Sequence, residues 1–235
     1  MEQKWPSHLV IVRHGESERN VAKGKAKEAN IHKYGSALRD VDTALTQRGV
    51  RQVIETGEYL SKHYKFDVIF ASPYRRTVQT SEGIVSRLKD KPPIILEERV
   101  REIEFGILDG LTNEGIRAQY PEENARRDRD GKYWYRPPGG ESRPDVALRV
   151  HSFLGTLTRD HAKKSVLIIC HSVVVLIFRR LLERWNEAEY LKVDKEEDVK
   201  NCAITGYLYD QKQKKLRLDH YNKIGYSEAF TVSTQ

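Results

Sequence analysis

Three short apolar runs constrain this chain more than any other feature: Leu9-Val10-Ile11-Val12, Asp67-Val68-Ile69-Phe70-Ala71 and Ser165-Val166-Leu167-Ile168-Ile169-Cys170. They are too short for buried helices, and they are apolar at nearly every position rather than at alternate ones. That pattern belongs to strands covered on both faces, which occur mainly in parallel sheets. Parallel neighbours need crossover connections, usually helices, and helical spacing duly appears between and after the runs. Thr46 is placed as the N-cap of a helix to about His63, with Val50, Val53, Ile54, Gly57 and Leu60 on its apolar face. Further helices are predicted from about Arg75 to Leu88, after Glu141 and after His171. Weaker strands are predicted at Ile94–Leu96 and Ala203–Tyr209, with an edge strand at Leu216–Tyr221. The expected fold is α/β, a three-layer α/β/α arrangement with a largely parallel central sheet, formed as a single domain over residues 1–235. Two polar stretches, Lys23–Thr43 and Tyr120–Pro144, break the alternation and are expected to be long loops or lid insertions.

Composition narrows the class. Of 235 residues, 38% are hydrophobic and 32% charged, which suits a globular chain with a heavily charged surface. The formal net charge is +7, but the basic residues are interleaved with acidic ones. With no basic tail and no zinc-finger or RNA-binding aromatic signature, no nucleic acid partner is expected. The longest apolar region, Val166–Phe178, is interrupted by His171 and Ser172 and is too short to span a bilayer, so no membrane partner is expected either. Cys170 and Cys202 make no disulfide framework in a chain of this length, which points to a reducing, cytoplasmic compartment.

The chemistry gathers where the three strong strands end. The first runs into Arg13-His14-Gly15-Glu16-Ser17, the second into Ser72-Pro73-Tyr74-Arg75-Arg76, and the third into His171-Ser172. Ligands of open α/β sheets bind beyond the carboxyl ends of the strands, so these segments can share a pocket. Arginine forks fit phosphate, and helix N-termini after the strands add free N–H groups. A neutral His14 is a competent nucleophile toward phosphorus, and cationic neighbours help keep it neutral. The same arginines would repel a metal, and no metal-ligand spacing, nucleophile elbow, P-loop or dinucleotide fingerprint is present. No metal or cofactor is therefore expected, and the partner is a phosphorylated small molecule.

Read together, Val12-Arg13-His14-Gly15-Glu16-Ser17 with Asn20 resembles the signature of the histidine phosphatase family, which includes the cofactor-dependent phosphoglycerate mutases. Leu45-Thr46-Gln47-Arg48-Gly49-Val50-Arg51-Gln52 resembles its Leu-Thr-x-x-Gly-x-x-Gln segment, and Ser72–Thr80 its second-arginine segment. Arg101-Glu102 with Phe105-Gly106 and Gly110, Gly140-Glu141-Ser142 with Arg149, and His171 follow in the family's order. The resemblance implies that His14 carries the phosphoryl group, that Arg13 and Arg76 grip it, and that His171 stabilises its developing charge. It further implies a polar contact from Asn20 and proton transfer to and from the leaving group by Glu102. One departure is Ser172, where the family usually has glycine; its backbone N–H and hydroxyl are both available as phosphate donors. Within the insertion, Tyr34, Arg39 and Asp42 are candidates to reach substrate, as are Tyr133, Trp134, Tyr135 and Arg136 in the second stretch.

The implied reaction is metal-independent hydrolysis of phosphate monoesters through phosphohistidine. A mutase is the first alternative, but the family's mutases carry a longer segment than the one between Glu102 and Gly140. A non-catalytic phospholigand-binding module is the other; it would be expected to have lost at least one of the five reactive residues, and all are present.

Overall fold

The computed structural model describes residues 2–34 and 38–228. Strand β1 (His8–Arg13) is followed by helices α1 (Glu18–Glu28) and α2 (Gln47–His63), then β2 (Val68–Ala71), α3 (Arg75–Arg87) and β3 (Ile94–Leu96). Helices α4 (Asn113–Gln119), α5 (Pro121–Trp134) and α6 (Arg143–Asp160) lead to β4 (Ser165–Cys170), and α7 (Ser172–Glu183) and α8 (Glu187–Glu196) lead to β5 (Ile204–Asp210) and β6 (Lys215–Lys223). The strands form one sheet in the order β3-β2-β4-β1-β5-β6. Strands β1, β2, β3 and β4 pair in parallel, β5 runs antiparallel to β1, and β6 antiparallel to β5. Among the described helices none is long and apolar enough to cross a membrane.

The side-chain alternation of strands sorts the core into two layers. On one face Leu9, Ile11, Val68, Phe70, Val166 and Ile168 meet α6 and α7 through Val150, Phe153, Leu157, Val174 and Phe178. On the other, Val10, Val12, Ile69, Ala71, Leu167 and Ile169 meet α2 and α3 through Val53, Leu60 and Ile84. This double cover is why the strands are apolar throughout. Phe153 is fully buried and meets Phe70 edge-on at 5.0 Å. Phe153→Ala is expected to cost about 3–5 kcal/mol in denaturant unfolding; a cost under about 1 kcal/mol would show that this layer is not packed as described.

Of the two expected loops, the second is largely helical and the first is helical only toward its ends. The first stretch begins inside α1, whose N-cap Ser17 forms a reciprocal capping box with Asn20, and a short 3₁₀ turn spans Asp40–Asp42; its residues 35–37 lie outside the described residues. The second is mostly α5, started by Pro121 with Glu122 and Glu123 in its first turn and broken at Gly131, where φ is 77°. These helices bury little, Ala26 in α1 and Tyr133 in α5. Capping, terminal charge and pairs such as Glu123–Arg126 support them instead of an apolar stripe. The same holds for α8, which buries Tyr190 behind an Asn186–Glu189 capping box.

Register decides what shares the end of the sheet. Strand β4 lies between β1 and β2, with Arg13 opposite Cys170 and Ala71 opposite Ile169. The chain therefore leaves these three strands at adjacent points, through His14, Ser72 and His171.

Candidate active site

The loop after β1 is held from α2 and α3. Gly15 N–H donates to Thr80 Oγ1 at 3.1 Å, Glu16 N–H to Gln52 Oε1 at 2.9 Å, and Thr46 N–H to the Glu16 carbonyl at 2.9 Å. Gly49 permits this approach, since a Cβ there would lie 2.0 Å from the Glu16 carbonyl oxygen. The Leu-Thr-x-x-Gly-x-x-Gln segment thus acts as a clamp on the loop that carries His14.

His14 is 2% exposed. Its Nδ1 lies 2.7 Å from the Gly15 carbonyl, which can only accept, so Nδ1 carries the ring proton. Nε2 is then a lone pair, and it accepts from Arg76 Nε at 3.2 Å. Burial, followed by the Arg76 and Arg13 cations, pushes the His14 pKa well below its ordinary value; the Gly15 hydrogen bond pulls weakly the other way.

His171 is fully buried at the N-cap of α7, its ring centroid 5.2 Å from that of His14. Arg76 Nη2 is a donor 3.3 Å from its Nδ1, so the proton sits on Nε2 and is directed at Ser72 Oγ, 2.9 Å away. Burial and then Arg76 also lower the His171 pKa well below the ordinary value. Below about pH 6.5, the ordinary value of both rings, the unfolded chain takes up protons that the folded site refuses. Unfolding free energy is therefore expected to fall with pH, by up to about 1.4 kcal/mol per pH unit for each ring until its folded pKa is reached. A His14→Ala/His171→Ala double variant should lose stability less steeply over that window; parallel curves would show that the rings do not resist protonation.

Arg76 connects the site. It lies near the start of α3, buried against the Tyr74 ring with 4.9 Å between guanidinium carbon and ring centroid. Arg13 donates to the Val199 carbonyl, while its Nε is buried and finds no acceptor among the described residues. Ser172 opens α7, so its N–H is among those a helix leaves unpaired. Asn20 spends its carbonyl oxygen on Ser17 N–H, Ser17 Oγ–H and Asn201 Nδ2–H. Asn201 also donates to the His14 carbonyl at 3.1 Å.

Glu102 presents Oε2 4.0 Å from His171 Nδ1, with its side chain 12% exposed. Burial raises its pKa, although Arg76 opposes this and Oε1 accepts from Ile103 N–H at 3.0 Å. The Gly-Glu-Ser segment and Arg149 hold the backbone here: Arg149 donates to the carbonyls of Arg99 and Glu102 at 2.8 and 3.2 Å, and Glu141 binds Arg149 and Arg101.

The structure therefore brings His14, His171, Arg76 and Glu102 together, with Arg13, Asn20 and Ser172 on the adjoining backbone. The loop candidates fare differently. Arg39 is 79% exposed on its side chain and pairs with Asp42 rather than with the site. Tyr34 packs under Arg19, 5.1 Å from its ring centroid. Tyr133 packs on Tyr190, Tyr135 donates to Glu123 and Trp134 to Glu187, so the three brace helices. Arg136 lines an open cleft of about 580 Å³ with Arg101, Glu104 and Arg126. Sequence reasoning missed Asp40, Arg19 and Asn201. Arg19 lies inside the first motif, but nothing in the sequence marks Asp40 or Asn201.

Residues 9–222 match the histidine phosphatase superfamily (branch 1). The chain belongs to this family. Among its relatives is a 2,3-bisphosphoglycerate-dependent phosphoglycerate mutase of Methylobacterium radiotolerans, 33% identical, with 77% of this chain and 81% of the relative aligned. Another is a 6-phosphofructo-2-kinase/fructose-2,6-bisphosphatase of Aquarana catesbeiana, 32% identical over 80% of this chain and 35% of the relative. The chain spans about a third of the length of the kinase/bisphosphatase relatives it matches. A mycobacterial glucosyl-3-phosphoglycerate phosphatase solved with inorganic phosphate has the same fold, with a TM-score of 0.70, 23% identity, and 93% of this chain and 98% of that one covered. This histidine phosphatase fold is the six-stranded sheet flanked by helices described above.

Proposed function

We propose that the protein is a metal-independent phosphatase that hydrolyses phosphate monoesters through a phosphohistidine on His14. One observation carries the reading. His14 has its proton tied to Gly15 at Nδ1, and its Nε2 lone pair is turned toward the cationic fork of Arg76. This is a neutral nitrogen nucleophile set beside a phosphate grip.

In this reading Nε2 attacks phosphorus and the ester P–O bond breaks. Glu102, whose pKa burial raises, gives its proton to the departing oxygen. Arg13, Arg76, Asn20 and the Ser172 N–H hold the phosphoryl oxygens. A substrate that enters as the phosphate monoanion can hand its proton to His171 Nδ1, which then donates back to the charge gathering on those oxygens. Glu102, now ionised, takes a proton from water, which attacks phosphorus, breaks the P–N bond and releases phosphate. Arg76 within 3.3 Å of both imidazoles makes a cation an unfavourable occupant between the rings, which supports chemistry without metal. We also take residues 1–235 as one domain, since one sheet receives strands from His8 to Lys223. Cys170 and Cys202 are buried thiols, which suits a cytoplasmic protein.

Hydrolysis of p-nitrophenyl phosphate should continue undiminished in EDTA. Loss of activity in EDTA, restored by a divalent metal, would refute the mechanism. Interconversion of phosphoglycerates primed by a bisphosphate, faster than hydrolysis, would assign a mutase. Retention of phosphate with neither reaction would assign a binding module.

A further inference from the structure

The fork of Arg76 is not free to meet a phosphate as it stands. Arg76 Nη1 donates to Asp40 Oδ1 at 2.9 Å and Nη2 to Asp40 Oδ2 at 3.1 Å, a two-pronged pairing of the kind a phosphate would make. Nη1 also donates to the Asp40 backbone carbonyl at 2.8 Å. Among the described residues, the remaining hydrogen bonds of Arg76 go to the two histidines. Asp40 sits on the 3₁₀ turn of the first polar stretch, with its side chain 16% exposed. A second cation anchors it, because Arg19 Nε lies 3.0 Å from Oδ1 and Arg19 in turn pairs with Asp109.

A carboxylate and a phosphoryl group cannot both take the same two guanidinium edges. Both are anions, so their approach is also disfavoured by repulsion in a buried setting. Asp40 can give up Arg76 and still keep Arg19 as a partner.

We propose that Asp40 is an internal competitor for the phosphate-binding fork of Arg76, displaced when a phosphorylated ligand enters and returning to expel inorganic phosphate after hydrolysis. The proposal rests on the phosphatase reading of the same site. Asp40 then sets a threshold that an anion must pass. A substrate with contacts beyond its phosphate crosses it more readily than the free phosphate product, which has the fork contacts alone. The turn between α1 and α2 thereby acts on product release without touching the reacting atoms.

The test uses the full chain, with Asp40→Asn and Asp40→Ala beside the parent and thermal melts to establish folding. Asn keeps the size of the side chain and removes its charge. Inorganic phosphate is titrated calorimetrically, and KM and kcat are measured with p-nitrophenyl phosphate. Both variants should bind phosphate about tenfold more tightly or better, as loss of a charge-assisted competitor requires, and KM should fall by more than kcat changes. Equal or weaker phosphate binding in both variants would overturn the proposal and make Asp40 a brace that aims Arg76. Tighter binding without hydrolysis in any protein would leave the competitor standing and remove the phosphatase reading. Hydrolysis with unchanged phosphate affinity would do the reverse.

Discussion

Replacing His14 with alanine is expected to lower kcat for p-nitrophenyl phosphate by about 10⁴-fold or more while the fold is retained. The size of the loss follows from the role. A nucleophile that forms the intermediate has no substitute in the site, and the remaining groups bind, polarise or move a proton without forming a bond to phosphorus. The second ring does not take over: His171 directs its proton at Ser72, and its other nitrogen faces Arg76 and Glu102. Alkaline denaturing quench of the parent during turnover of a ³²P-labelled monoester should trap label on the protein in an alkali-stable linkage that acid then releases, as expected for a phosphoramidate. His14→Ala should trap none. A variant that keeps a tenth of the parental rate, or labels normally, would move the nucleophile elsewhere.

Glu102→Gln should cost about 10²–10⁴-fold in kcat for an alkyl phosphate, the range over which a positioned proton donor acts. The loss should be smaller for p-nitrophenyl phosphate, whose leaving group departs without a proton. The pH profile should change as well. Burial raises the Glu102 pKa, so the parent should lose activity as pH climbs through that raised value and the acid gives up its proton. Because burial and the arginines lower the His14 pKa, the acidic limb should lie well under pH 6.5, where the nucleophile becomes protonated. Glu102→Gln should flatten the alkaline limb alone. Equal losses for both leaving groups with an unaltered profile would reduce Glu102 to a structural carboxyl.

The helices that carry a wide apolar face and the strands covered on both sides were legible from residue order. Val53, Leu60 and Ile84 on one layer and Phe153, Val174 and Phe178 on the other recur at the spacing that their packing requires. The helices α1, α5 and α8 were not legible, because each buries a single residue and depends on caps and charge pairs that also occur in loops. The same division runs through the site. His14, Arg76, Glu102 and His171 stand in motifs, and three of them follow or open an element whose type could be read directly.

Residue order determined which side chains could act and at which end of the sheet, since strand period and helix capping are local properties. The tertiary structure decided which nitrogen of each imidazole holds its proton, because that depends on Gly15, Ser72 and Arg76 converging from separate segments. It also decided that Asp40, 36 residues from Arg76 and outside every motif, would take the arginine fork. Hydrogen bonds and charge pairs act over a few ångströms of space, and separation along the chain does not report that distance.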